Sequence, residues 1–250
     1  MAHVTTRPPG SSSPRREELL DRAYRYALEH GLADLSLRPL AAAIGSSPRV
    51  LLFLFGSKDG LVRALLARAR ADELGFLARE GAAGQRAARE NSAAENSAAE
   101  SSAAEDSAAE SSAGRNAPRE DGLTALVAAT WRWLAAAPVR PLLTLWTEAY
   151  GRSLVEPGGP WSGFASQSVA DWLDVLAAAQ PAERAGSPDQ QTSENGPAAD
   201  RTLALAVLRG CLLDLLATGD TERVGAAIAR YLRLAASAGT GAGHYREARD

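Results

Sequence analysis

Between Gly31 and Ser57 a largely apolar stretch is cut at short intervals by residues that end or start helices: Gly31, Ser36, Gly45, Ser47-Pro48 and Gly56-Ser57. A glycine just past a periodic segment ends a helix, while a serine N-cap or a proline at the first helical position starts one. The stretch therefore cannot be one long helix and reads as short helices joined by tight turns. Ahead of it, Leu19, Leu20, Ala23, Tyr24, Ala27 and Leu28 recur at helical spacing and predict a helix from about Arg15 to His30. A second helix is expected behind Ser36, with Leu37, Leu40, Ala41 and Ile44 on one face. A third starts at Pro48 and stops at Gly56, and a fourth begins behind Ser57. Ser36, Ser47 and Ser57 are all candidate N-caps.

Three helices with a glycine-bearing turn between the second and third form the helix-turn-helix pattern. Their order and lengths resemble the tetracycline-repressor (TetR) family of bacterial regulators. SLRPLAAAIG at 36–45 and, above all, FGSKDGL at 55–61 carry the resemblance. It implies an all-α chain with an N-terminal three-helix helix-turn-helix domain and a C-terminal helical bundle for ligand binding and dimerisation. It further implies a homodimeric repressor on a pseudo-palindromic operator in double-stranded DNA, released by a small-molecule effector. Ser36, Arg38, Ser46, Ser47, Arg49, Val50, Phe53 and Lys58 are the expected DNA contacts. The family usually carries a lysine, a small residue and a Tyr-His pair where this chain has Pro48, Arg49, Leu52 and Phe53. Leu52 and Phe53 either give apolar contact to thymine methyls or sugars or mark degenerate DNA recognition. In the second case the chain is a ligand- or partner-binding helical protein of the same fold. Val50, Leu51, Leu54 and Phe55 are expected to pack on the other helices.

Charge is distributed unevenly along the chain. The net charge is -3, but residues 1–70 carry eleven Arg or Lys against six Asp or Glu, a net of +5, which leaves -8 for the remainder. The basic end is where nucleic acid would bind. Lys58, the only lysine, stands at a helix N-terminus, where a cation opposes the macrodipole, and a phosphate explains that placement better than stability does.

Enzyme and cofactor classes find little support. One cysteine, Cys211, and three scattered histidines, His3, His30 and His244, offer neither a disulfide framework nor metal-ligand spacing. No G-x-S-x-G elbow is present. No catalysis, cofactor or metal is expected. No apolar run is long enough to span a bilayer, and MAHVTTRPPGSSSPRREE lacks the apolar segment of a signal peptide, so a cytoplasmic protein without a membrane partner is expected.

The remaining organisation reads as a flexible arm at 1–14, the helix-turn-helix domain at 15–62, a connecting helix at 63–81, a low-complexity linker at 82–119, a helical domain at 120–238 and a flexible tail at 239–250. The linker holds a pentapeptide repeat, ENSAAENSAAESSAAEDSAAE. Five residues advance a helix by about 500°, so its alanine pairs spiral and form no packing stripe. The helical domain holds Trp131, Trp133, Trp146 and Trp172 on helices and Trp161 in a loop. Aromatics at helical spacing are mostly core. The resemblance makes Trp131, Trp133, Trp146, Tyr150 and Trp172 the ligand-binding candidates. A second loop is expected at 181–200. Two apolar helices then follow, in which Ala206, Gly210, Gly225 and Ala229 permit close approach. Leu208, Leu212, Leu215, Ile228, Tyr231 and Leu232 are the expected dimer interface.

Overall fold

Local capping chemistry sets the N-terminal helices. In the computed structural model, which describes residues 13–32, 34–104, 122–156, 158–180 and 196–244, the first four helices are α1 (Pro14–His30), α2 (Leu37–Ala43), α3 (Pro48–Phe55) and α4 (Lys58–Ala104). The Ser13 hydroxyl accepts the Arg16 N–H at 3.3 Å, that of Ser47 the Val50 N–H at 3.3 Å, and that of Ser57 the Gly60 N–H at 2.9 Å. Ser36 differs from the expectation and makes no capping hydrogen bond with its side chain. Gly31 and Gly56 leave their helices at φ 78° and 77°, a conformation that glycine alone adopts without strain.

Beyond them come α5 (Gly122–Leu134), α6 (Arg140–Val155), α7 (Phe164–Ala178), α8 (Pro197–Thr218) and α9 (Thr221–His244), with 3-10 turns at Ala137–Val139 and Gly159–Trp161. The chain is all-α, with no strand among the described residues. α4 runs on through the first repeats, where a linker was expected. No proline lies between residues 58 and 104, and Ala and Glu propagate a helix readily. α8 starts inside the stretch expected to be loop, because Pro197 takes the first helical position behind Gly196. Trp161 is buried in its 3-10 turn, with the Arg152 guanidinium 5.8 Å from its ring centroid. The arm at 1–12, the repeat from 105, the loop at 181–195 and the tail from 245 lie outside the described residues.

The chain divides into two compact units, Met1–Asp72 with Pro141–Gln167, and Glu73–Arg140 with Ser168–Asp250. In unit 1, α1 packs on α2 and α2 on α3. Leu19, Leu40, Leu51, Leu61 and Leu65 form its core together with Leu143 and Trp146 of α6. α6 therefore shares a unit with the helix-turn-helix. The Glu148 carboxylate on α6 accepts the backbone N–H of Leu32 at 3.0 Å. A Cβ on the preceding Gly31 would stand 3.4 Å from that same oxygen.

In unit 2, α5, α8 and α9 pack on one another. Four of the six residues expected at the dimer interface lie within that packing. Leu208, Leu212, Leu215 and Ile228 are buried within the single chain, because their side of α8 and α9 already has a partner in unit 2. Tyr231 and Leu232 are half-buried. The large apolar side chains that these helices leave exposed are Leu203, Leu213 and Leu234.

Candidate nucleic-acid interface

α2 and α3 are bent by 101° at residues 44–47, within the range of helix-turn-helix pairs. Gly45 makes the turn possible at φ 67°. The turn also closes through the Ser46 N–H donating to the Ala41 carbonyl at 2.8 Å. α3 anchors through Leu51 and Phe55, both buried, and the Arg16 guanidinium lies 4.8 Å from the Phe55 ring centroid. Its opposite side carries Arg49, exposed, with Val50 at 38%, Leu52 at 40% and Phe53 at 86% exposure. Val50 thus joins the outward set rather than the packing set.

Gly60 explains why FGSKDGL has its form. A Cβ there would collide with the backbone carbonyl oxygen of Phe55, so the start of α4 can close on the end of α3 only with glycine at this position. That approach brings Lys58 toward α2. Asp34, Leu35, Ser36, Leu37, Arg38, Pro48 and Lys58 line one open concavity of about 670 Å³. Three of the expected DNA contacts, Ser36, Arg38 and Lys58, converge there. Asp34 stands among them, a carboxylate outside the expected set.

The cations of unit 1 fall into two sets. Arg15 and Arg22 pair with Glu18 at 2.7 and 2.6 Å, and Arg68 pairs with Asp21 at 2.7 Å and Asp72 at 3.1 Å. The hydrogen bond from Arg15 and the nearby charges of Arg15 and Arg22 hold the Glu18 carboxyl below its ordinary range. Among the described residues Arg38, Arg49 and Lys58 enter no such pair, nor do Arg25 and Arg63, and all five are exposed. The serines differ from one another. The Ser46 hydroxyl is buried without a hydrogen-bond partner and so is not presented as a contact. The Ser47 hydroxyl accepts its cap bond yet keeps a proton to donate.

The aromatic candidates do not form a single group. Trp146 and Tyr150 stack at 4.8 Å in unit 1, and Trp146 meets Phe164 edge-on at 6.5 Å. Trp131, Trp133 and Trp172 belong to unit 2. There Trp133 stacks on Phe76 at 4.5 Å, and the Trp172 indole N–H donates to the Glu73 carboxylate at 2.9 Å, both of these last side chains buried. Trp131 is buried with its indole nitrogen 3.9 Å from where a Cβ on Gly225 would lie. Glu73 was missed by sequence reasoning, although a signal existed. It occupies the stripe of α4 that also carries Leu66, Ala69 and Leu77, where a carboxylate is out of place unless it has a polar partner. Thr130 and Ser168 add buried hydroxyls without hydrogen-bond partners in the same unit.

Residues 19–65 match the family of bacterial regulatory proteins, tetR family. No curated protein matches the chain by sequence. Solved structures share the fold at low identity. One is a transcriptional regulator structure from Pseudomonas aeruginosa PAO1, with a TM-score of 0.55, 16% identity and 96% of each chain covered. Another is the multidrug binding protein EbrR complexed with imidazole, with a TM-score of 0.53, 23% identity, and 92% of this chain and 97% of that one covered. A third, from Rhodococcus sp. and assigned to the TetR-family transcriptional regulators, has a TM-score of 0.53 and 15% identity over 88% of this chain and 95% of its own.

Proposed function

We propose that the chain belongs to the tetR family of bacterial regulatory proteins, whose pattern residues 19–65 match, and that it is a homodimeric transcriptional repressor that leaves its operator when a small molecule occupies its helical bundle. The observation that carries this reading is the convergence of Ser36, Arg38 and Lys58 in one concavity beside α3. Cations without carboxylate partners and a hydroxyl not used for capping suit phosphate oxygens. Lys58 and Arg38 clamp phosphates, and Arg49, in the first turn of α3, reads a base edge, since recognition helices enter the major groove through their N-terminal residues. Trp133, Trp172 and Glu73 of unit 2 are the favoured effector contacts, because a buried polar group among aromatic faces can orient a small molecule. Dimerisation uses the exposed sides of α8 and α9, with Leu203, Leu213 and Leu234 in place of the four residues buried within the chain. A two-fold operator needs such a dimer.

Selection of operator fragments from genomic DNA, followed by binding at several salt concentrations, tests the reading. Arg49→Ala should weaken binding to the selected operator by about 1 to 3 kcal/mol and relax preference at one position per half-site. Lys58→Ala should weaken binding to all sequences alike and lower the salt slope by about one unit for each phosphate that the lysine neutralises. The rival reading, a partner-binding helical protein, draws on the exposure of Phe53. It prevails if no operator is enriched and both variants behave as wild type.

A further inference from the structure

The outward side of α3 is unusual for a surface meant for a polyanion: around its one cation it exposes Val50, Leu52 and Phe53, with Phe53 at 86% exposure. Arg49 and Phe53 are four residues apart and Val50 and Phe53 three apart, so the guanidinium, the valine and the phenyl ring share one face of the helix. Phe55, on the other side of α3, is buried with the Arg16 guanidinium over its ring. Phe53 has no such cover among the described residues. An apolar ring left in water at the tip of a binding helix needs an apolar partner. In the major groove the strongly apolar group on a base edge is the C5-methyl of thymine.

We propose that the operator is read in part through thymine methyl groups, that Phe53 is the specificity-determining side chain for them, and that each half-site places this thymine about two base pairs from the guanine read by Arg49. This rests on the DNA-binding reading and deepens it. The spacing follows from helix geometry. Residues four apart are separated by about 6 Å along the helix axis, and base pairs are spaced by about 3.4 Å along the duplex, so a helix lying along the groove sets its two readers about two base pairs apart. Arg49 takes the guanine because a guanidinium donates in parallel to O6 and N7. Val50 and Leu52 flank the ring and exclude water from the same methyl-bearing stretch. Duplex DNA is the occupant favoured over a lipid surface or an apolar protein because the patch shares its helix face with Arg49, because Pro48 at the start of that helix lines the concavity that holds Arg38 and Lys58, and because the first 70 residues of the chain carry a net of +5. α3, at eight residues, is also short for a membrane-surface helix.

Replacing thymine by uracil in the selected operator removes the methyl groups and leaves base pairing intact. With wild-type protein, removing the methyl at the predicted position should weaken binding about fourfold per half-site, the effect of one buried methyl-sized group, and about fifteenfold for both half-sites together. Uracil elsewhere in the operator should have little effect. Phe53→Ala should bind the thymine and uracil operators equally, whereas Arg49→Ala should keep the full methyl effect and lose preference at the guanine. The wild-type comparison needs no variant, so it stands whatever Phe53→Ala does to folding. The proposal is overturned if an operator is enriched but its affinity changes by less than about twofold on complete uracil replacement, or if Phe53→Ala discriminates as wild type does. Enrichment of no operator at all sinks the DNA-binding reading, and this inference falls with it. The two failures are thus told apart by whether the selection yields a site.

Discussion

α3 and α8 both carry more apolar surface than the rest of the chain covers, and they differ in what surrounds the excess. α3 buries Leu51 and Phe55 and leaves Val50, Leu52 and Phe53 outside, with Arg49 on the same face and Arg38 and Lys58 in the neighbouring concavity. α8 buries Leu205, Leu208, Leu212 and Leu215 and exposes Leu203 and Leu213, with exposed Ala206 and Gly210 between them. An apolar face framed by unpaired cations suits a charged duplex with methyl-bearing edges. One interleaved with small residues at spacings of three and four lets another helix approach closely and suits a second copy of the chain. The same surplus of leucine and phenylalanine therefore points to two classes of partner, separated by charge and side-chain size.

The sharpest way to break the comparison is to put the same charge on two adjacent residues of α8. Leu212→Arg should unfold unit 2, since an unpaired charge in a leucine site costs more than about 4 kcal/mol. Leu213→Arg, half exposed at 52%, should stay folded, sediment as a monomer and bind the operator at least about a hundredfold more weakly, because one half-site holds too few contacts. If Leu213→Arg sediments as a dimer, the second copy docks elsewhere.

A smaller effect concerns the frame that presents α3. Gly60→Ala would place a Cβ against the Phe55 carbonyl and should cost about 2 kcal/mol, in the range of other overpacked sites. Thermal unfolding checks the stability loss. DNA binding at a temperature where the variant is still folded checks whether moving the start of α4 displaces Lys58. An unchanged melting temperature would mean that α3 and α4 can separate without loss.

The smallest effect separates two serines with the same expected role. Ser57→Ala should cost about 1 kcal/mol of stability, because it removes the acceptor for the Gly60 N–H. Ser36→Ala, which removes no cap bond, should change stability by less than about 0.5 kcal/mol while weakening DNA binding through the missing hydroxyl. Equal melting temperatures for the two variants would erase the distinction.

Much of unit 1 was legible in the residues themselves. Gly31, Ser47-Pro48, Gly56 and Ser57 act on backbone groups within four residues of themselves, so the boundaries of α1, α3 and α4 follow from local chemistry whatever packs around them. The FGSKDGL stretch was readable for the same reason: its serine cap and its glycine close approach both involve the turn at 55–60. Other features were beyond local reading. A helix that is apolar on nearly every side, as α3 and α8 are, has no stripe to say which side turns inward, and only neighbours from distant parts of the chain choose the phase. That choice turned Val50 outward and Leu51 inward, and Leu212 inward beside an exposed Leu213. The same long-range packing put Trp146 and Tyr150 in one unit and Trp133 and Trp172 in the other. It also gave the buried Glu73 its indole partner 99 positions along the chain. The amino-acid order determined where α1 and α3 begin and end and where α4 begins, because capping is a contact between near neighbours. The tertiary structure decided which of their faces remain open to a partner, because burial depends on segments that meet only after folding.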